Sequence, residues 1–246
     1  MPDQYLTALP VFDEVKHVDE VLNQVRNYSE HVLVIDDGST DGTGDLLKRR
    51  DDVRVLTHAK NQGYGAALIS AFAYAQSHRF EYLVTIDCDG QHVPQRIPAF
   101  VEACAEMDLV SGSRYLQRFD GDSEPPTDRR RINQSIASRL NQKLGLQLTD
   151  AFCGFKAYRV SALNSLRLTE HGYAMPLELW VQAAKLGWRI KEYPVPLIYL
   201  DENRSFGGAL DDNQTRLDYY NLVVDRSLAA VADGARLCGA AAKDVE

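Results

Sequence analysis

Val84-Thr85-Ile86-Asp87-Cys88-Asp89-Gly90-Gln91-His92 is a short run of β-forming residues that climbs into two carboxylates, one residue apart, and breaks at a glycine. Side chains alternate faces in an extended segment, so Asp87 and Asp89 point to one side and Cys88 to the other. Two like charges that close repel by roughly 4 kcal/mol at 4 Å and intermediate dielectric. A divalent cation relieves that repulsion. Oxygen-only ligands select a hard ion, Mg2+ or Mn2+, which usually reaches protein through one or two carboxylates plus substrate phosphates. The plainer reading is a strand that ends in a polar turn, because Asp and Gly are ordinary turn formers. What lies at the other strand ends decides between them.

Outward from this stretch, strand, loop and helix alternate. Strands are expected over 5–9, stopped by Pro10, then over 31–35, 53–57, 82–86 and 109–111. Helices are expected over 15–25, 45–50, 66–76 and from Pro94 to about Cys104, proline being favoured in a first helical turn. The alternation is the pattern of βαβ units around a parallel sheet. Each unusual polar cluster sits at the C-terminal end of a strand, the edge where open α/β sheets bind ligands. Further on, residues 119–128 read as a mobile loop, and Arg129-Arg130-Arg131 opens a helix with Ile132, Ile136, Leu140 and Leu144 on one stripe. Residues 152–158 are strand-like, 175–186 helical and closed by Gly187, 189–193 a strand, and 217–231 a terminal helix followed by an alanine-rich tail without clear structure. The division expected is one domain over residues 1–210 and a C-terminal helix and tail over 211–246.

Composition narrows the class. The chain has 246 residues, 45% hydrophobic and 25% charged, as a soluble globular protein does. A net charge of −8 argues against a nucleic-acid partner. The four cysteines form no C-x-x-C pair, so neither a disulfide framework nor a zinc site is indicated, and a cytoplasmic location is expected. No stretch approaches the length of a spanning helix, so any membrane contact would be peripheral. Between Arg114 and Lys143, however, seven basic residues face four acidic ones.

Single motifs are ambiguous. Gly63-Tyr64-Gly65 lacks the third glycine of a dinucleotide fingerprint and follows the third strand rather than the first. Asp36-Asp37-Gly38-Ser39 reads as a turn with a helix cap, although two adjacent acids at a strand end also suit a base or ribose. Arg114 and the Arg129–Arg131 cluster are either a solvated basic face or a site for an anionic substrate, arginine being the preferred bidentate phosphate donor. His92 reads as an ordinary loop residue, and Cys88 takes no ligand role.

In order along the chain come Leu9-Pro10-Val11-Phe12-Asp13-Glu14, Val34 to Thr43 with its Asp36-Asp37-Gly38-Ser39 core, Asn61-Gln62-Gly63-Tyr64-Gly65-Ala66-Ala67, Asp87-Cys88-Asp89-Gly90-Gln91-His92 and Gly112-Ser113-Arg114-Tyr115. Together they resemble glycosyltransferase family 2, and most of all its polyprenyl-phosphate (dolichol-phosphate) mannosyltransferase branch, whose aspartate-to-tyrosine segment is similar to Asp150–Tyr158. The resemblance covers roughly residues 5 to 200. It implies a GT-A (Rossmann-like) α/β fold with a mostly parallel central sheet flanked by helices, a nucleotide-sugar donor and a divalent metal. It also implies that Pro10, Phe12, Glu14, Asp36, Asp37 and Gly63 surround the nucleotide, and that Asp87, Asp89 and Gln91 surround the metal and diphosphate. Arg114, Arg131 and Ser135 match positions that hold an acceptor phosphate, and Glu178 a glutamate on the acceptor side. The middle residue of the D-x-D is usually alanine and here is Cys88, while residues 201–210 match the expected basic, serine-containing segment only loosely.

The chemistry expected is inverting, metal-assisted transfer of mannose or glucose from GDP-mannose or UDP-glucose to a polyprenyl (dolichyl or undecaprenyl) phosphate. An ionised phosphate needs no strong base, whereas a sugar hydroxyl needs one with a pKa near working pH. Asp150 and Glu178 are the candidate bases, with Asp89 as the central catalytic acid group. A soluble family-2 transferase acting on a glycan hydroxyl is the alternative, and a non-catalytic nucleotide-sugar binding protein the rival of another class.

Overall fold

The computed structural model describes residues 5–200 and 207–241, the last nine of them by backbone alone. Seven strands form one sheet: β1 (Tyr5–Val11), β2 (His31–Asp36), β3 (Arg54–Thr57), β4 (Tyr82–Thr85), β5 (Leu109–Ser113), β6 (Lys156–Arg159) and β7 (Ile190–Pro194). Their spatial order is β3-β2-β1-β4-β6-β5-β7. Only β6 runs antiparallel, wedged between β4 and β5. The six parallel strands therefore all end on one edge, and β6 begins there, with Lys156 opposite Thr85. The chain on either side of Asp87 and the chain entering β6 are thus brought together.

β1 does not stop at Pro10 but runs through it to Val11. The Ala8 carbonyl accepts from the Ile86 amide, so residues of that parity, Pro10 included, turn their backbone groups toward β4. Pairing with β4 has already ended at Ala8–Thr85, so the N–H that proline lacks would have had no ladder partner. Val11, of the other parity, accepts from the Asp37 amide at 2.8 Å and carries β1 to the end of β2.

Helices cover both faces, which is why the strands read as near-continuous apolar runs. On one face α3 (Tyr64–Ser77), α5 (Thr127–Leu144), α7 (Met175–Lys185) and α8 (Asn213–Ala241) close over Leu6, Ala8, Leu33, Ile35 and Leu83. On the other, α1 (Val18–Arg26) and α4 (Ile97–Ala103) pack on Leu9, Val34, Val84 and Ile86. Cys88 is buried in this second core, as its alternation with the two aspartates requires. α2 (Thr43–Leu47) and α6 (Val160–Leu163) are single short turns.

Two expectations are corrected. Residues 152–155 are not strand, because Gly154 and Phe155 are used at the sheet edge before β6 starts. The alanine-rich tail is helical: α8 runs from Asn213 through Ala241, well beyond Val231. α8 also buries Tyr220, Val223 and Val224 in the core shared with α3, α5 and α7, so it is packed as part of the same body. Among the described residues, no helix is long and apolar enough to cross a membrane. Residues 201–206, the centre of the loosely matching segment, lie outside the described residues.

Candidate active site

The C-terminal edge of the sheet opens into a cleft of about 740 Å³. One wall comes from the ends of β1 and β2. Pro10, Phe12, Glu14 and Asp37 line it, with Asn61, Gly63 and Tyr64 from the loop into α3. The β1 loop is locked to the loop after β2 by local hydrogen bonds. The Asp13 amide donates to Ser39 Oγ at 3.0 Å, the Thr40 amide to Asp13 Oδ1 at 2.7 Å, and the Val15 amide to Asp41 Oδ2 at 3.0 Å. Asp37 is buried and accepts from the amides of Gln62 (2.9 Å) and Gly63 (2.8 Å), which draws the 61–63 loop onto the end of β2. Gly63 is needed there: its φ is 105°, and a Cβ would lie 2.3 Å from the His171 carbonyl oxygen. Asp36 faces inward instead, accepts from the Ser39 amide at 2.9 Å, and does not line the cleft.

Asp87, Asp89 and Gln91 all reach the cleft. Asp89 accepts from the Gln91 backbone amide (3.0 Å) and side-chain amide (2.8 Å), so Gln91 orients it. Asp87 is held at both oxygens, by the Tyr64 hydroxyl at 3.0 Å and by His92 Nε2 at 3.2 Å. Burial and the neighbouring Asp87 charge push the Tyr64 hydroxyl well above its ordinary pKa, so it remains a donor. His92 is thus more than a loop residue, since it braces Asp87 from the side away from Tyr64. The carboxyl of Asp87 lies over Gly154, where a Cβ would come within 2.1 Å of Oδ2. Beneath it, Lys156 is buried, with its ammonium donating to the Cys153 carbonyl and burial pulling its pKa down. Two carboxylates and an amide oxygen form a hard donor set that fits Mg2+ or Mn2+. Among the described residues no three acidic, His or Cys side chains gather into a complete cage.

The opposite wall is basic and aromatic. Arg114, just past β5, makes a two-pronged ion pair with Asp150, Nε to Oδ2 at 2.7 Å and Nη2 to Oδ1 at 3.0 Å. Burial works against both charges, but each partner overrides it for the other: Arg114 is held above its ordinary pKa and Asp150 below. Asp150 is fully buried, also accepts from the Phe152 amide, and lies outside the cleft lining. Glu192 holds the same segment from β7 through the amides of Thr149 and Asp150. The oxygens of Asp150 are thus taken up by Arg114 and backbone amides, away from the cleft. Glu178 is likewise buried off the cleft, accepting from the amides of Thr169 and Glu170 at 2.8 Å each.

Arg131 and Ser135 are not brought to the site. Both lie on the outer face of α5, Arg131 with its side chain 66% exposed and 3.6 Å from Asp128. The α5 residues that line the cleft are Arg129, Ile132 and Asn133. At about 100° per residue, Arg129 sits within the Ile132–Ile136–Leu140 stripe and Asn133 at its margin, while Arg131 and Ser135 fall well outside it. The helix phase was available in the sequence, and spacing alone concealed it. Tyr115, Phe152, Tyr173, Tyr199, Tyr219, Tyr220 and Arg216 complete this wall. They come from five separate segments, and beyond Tyr115 and Phe152, which fall in motifs already quoted, no local motif marks them.

Comparison with known proteins matches this geometry. The family described as "Glycosyl transferase family 2" matches residues 7–167. The chain is 33% identical over 220 residues to the undecaprenyl-phosphate mannosyltransferase of Micrococcus luteus, covering 84% of this chain and 89% of that protein. It is 30% identical to the polyprenol monophosphomannose synthase of Mycolicibacterium smegmatis, covering 77% and 76% respectively. Among solved structures, glucosyl-3-phosphoglycerate synthase from Mycobacterium tuberculosis, in complex with Mn2+, uridine diphosphate and glucosyl-3-phosphoglycerate, superposes with a TM-score of 0.70 at 18% identity, covering 92% of this chain and 80% of that one. That likeness speaks to the fold alone, which is GT-A. With a family match over most of the sheet and relatives aligned along most of both lengths, this chain is a glycosyltransferase and belongs to glycosyltransferase family 2.

Proposed function

We propose that the protein transfers mannose or glucose from a nucleotide sugar, GDP-mannose or UDP-glucose, to a polyprenyl phosphate, with inversion and with Mg2+ or Mn2+ as cofactor. The observation that carries this reading is that one cleft is lined both by Asp87, Asp89 and Gln91 and by Arg114 and Arg129, with Asn133 one turn on. The relatives named as polyprenyl-phosphate and polyprenol-phosphate mannosyltransferases support the same acceptor.

Pro10, Phe12, Glu14, Asp37 and Gly63 form the nucleoside wall in this reading. Asp87, Asp89 and Gln91 hold the cation, with Tyr64, His92 and Gly154 fixing Asp87. When bound, the cation neutralises charge on the departing nucleoside diphosphate. Arg114 takes one edge of an acceptor phosphate with the guanidinium donors that Asp150 leaves over, and Arg129 takes the other, while Asn133 ties the Thr149–Ala151 segment to α5. Asp150 and Glu178 act as supports, which leaves no base at the positions first expected for one. An ionised phosphate needs none, so their burial favours it over a sugar hydroxyl. The basic wall, together with the excess of positive residues between Arg114 and Lys143, supports peripheral contact with an anionic membrane face on the cytoplasmic side.

The test is incubation with radiolabelled GDP-mannose or UDP-glucose, Mn2+, and either polyprenyl phosphate or soluble glycans. Label should pass into organic solvent with polyprenyl phosphate and fail to do so in Asp89→Ala. Label found only on a water-soluble glycan would overturn the acceptor, and full turnover by Asp89→Ala would overturn the metal role.

A further inference from the structure

We propose that His58 is a positioning residue for the donor half of the cleft, acting through Asp37 on the 61–63 loop. The proposal rests on the reading that this end of the cleft takes the nucleoside. His58 follows β3 directly, and its backbone amide donates to the Asp36 carbonyl at 2.9 Å. Its ring is buried between the end of β2 and α3. Nδ1 lies 2.6 Å from Asp37 Oδ1, and Nε2 lies 2.9 Å from the Ser70 hydroxyl on α3. The chain Ser70–His58–Asp37 thus joins a helix, a strand end and the cleft wall.

Nδ1–H donates to the Asp37 carboxylate, an acceptor only, and Nε2 meets the Ser70 hydroxyl, which can accept or donate. No proton has to move, so the role is one of geometry. The Asp37 side chain is only 4% exposed, and its oxygens accept from His58 and from the amides of Gln62 and Gly63. Among these three partners His58 is the side chain, and with the two amides it holds the rotation of the carboxylate that carries the loop. Asn61, Gly63 and Tyr64 in turn line the cleft. If Asp37 rotates, the wall that faces the nucleoside moves with it. A histidine that served only to fill space would be replaceable by any side chain of similar bulk, and a positioning one would not.

Asparagine places an amide N–H near Nδ1 and glutamine places one near Nε2, so the two substitutions separate the contacts. The experiment compares His58→Asn, His58→Gln and His58→Ala with the wild-type chain. One readout is hydrogen exchange at the Gln62 and Gly63 amides without ligand. The other is calorimetric binding of UDP and of GDP, each with Mn2+. In His58→Gln and His58→Ala the two amides should exchange about tenfold faster and the better nucleotide should bind about tenfold more weakly, the effect of losing one hydrogen bond to a charged group. His58→Asn should stay near the wild type in both. If His58→Asn behaves like His58→Gln, ring packing and not the Nδ1 contact is responsible, and the proposal falls. It also falls if the amides exchange faster while nucleotide affinity is unchanged. Wild-type protein that binds neither nucleotide overturns the donor-site reading instead, and the exchange rates then decide the loop tie by themselves.

Discussion

Asp150→Asn removes the charge from the most deeply buried carboxylate of the site while keeping its shape. Asp150 is fully buried, and both its oxygens accept from the Arg114 guanidinium. Breaking a buried pair at one partner leaves the other charge uncompensated and costs about 3–5 kcal/mol. In a domain of this size each kcal/mol moves the melting temperature by about 2–4 °C, so a fall of about 6–20 °C is expected in a thermal melt. The loss has a defined pH range. Asp150 has its pKa lowered in the folded chain, so its contribution is complete above the unfolded carboxylate value of about 3.9 and is lost as pH falls through the lower folded value. The gap between wild type and Asp150→Asn should therefore be flat from about pH 5 to 8 and close only in strong acid. The double variant Arg114→Met with Asp150→Leu should recover most of the stability, because an apolar pair avoids the orphaned charge. It should stay inactive if, as proposed, Arg114 meets the acceptor phosphate. The opposite pattern would refute this reasoning: an Asp150→Asn variant that melts with the wild type and loses one limb of the pH–rate profile would make Asp150 a working base.

Gly154→Ala would drive a methyl group into the Asp87 carboxyl. The fold should survive, and the Mn2+ concentration needed for half-maximal transfer should rise by about 10²-fold, as small misplacements in a reacting site do. An unchanged metal titration would show that Asp87 is not held where Gly154 leaves room. Arg129→Ala should raise the KM for polyprenyl phosphate at least about tenfold, the scale of losing a charge-assisted contact, whereas Arg131→Ala should leave it unaltered. Equal effects of the two would disprove the assigned face of α5. Burial pushes the thiols of Cys104 and Cys153 up to about 12 each. Both should resist iodoacetamide in the native protein at pH 8 and react on denaturation, as peptide mapping of the alkylated sites would reveal.

The fold, and the fact that Pro10, Phe12, Glu14, Asp37, Asp87, Asp89 and Gln91 line one cleft, were legible in the sequence because their signals are local. A β-forming run that leads into Asp87-Cys88-Asp89 suggests which side chains share a face, and although β4 ends at Thr85, Cys88 is buried while both aspartates line the cleft. Four such clusters at four strand ends then add up, because a parallel sheet brings all its C-terminal ends to one edge. The Arg114 wall was not legible in the same way, because its residues get their surroundings from partners far along the chain. Asp150 resembles an available acid until Arg114, 36 residues away, is seen to occupy it. Glu178 resembles another until the amides of Thr169 and Glu170 fold over it. A carboxylate's identity as base or support depends on what satisfies its oxygens, and periodicity does not report that.

α5 marks the boundary between these two cases. Arg131 and Ser135 fit an Arg-x-x-x-Ser spacing, but that spacing only places two residues on one face of a helix and does not say which face. The apolar stripe says which: whatever shares the phase of Ile132 and Ile136 turns inward, and Arg129 does so with Asn133 beside it. A charged residue inside an apolar helical stripe is costly to bury unless it meets a partner or a ligand. Here the stripe meets the open cleft at that turn, and the inward arginine lines the cleft instead of entering the core. The same reasoning extends to Arg216, which is buried on α8 and lines the cleft from across α5, donating to the Leu210 carbonyl at 2.7 Å. Arginines that interrupt inward-facing apolar stripes at the edge of a sheet are thus better markers of the residues that line this cleft than the exposed run Arg130-Arg131, although that run is the more conspicuous in the sequence.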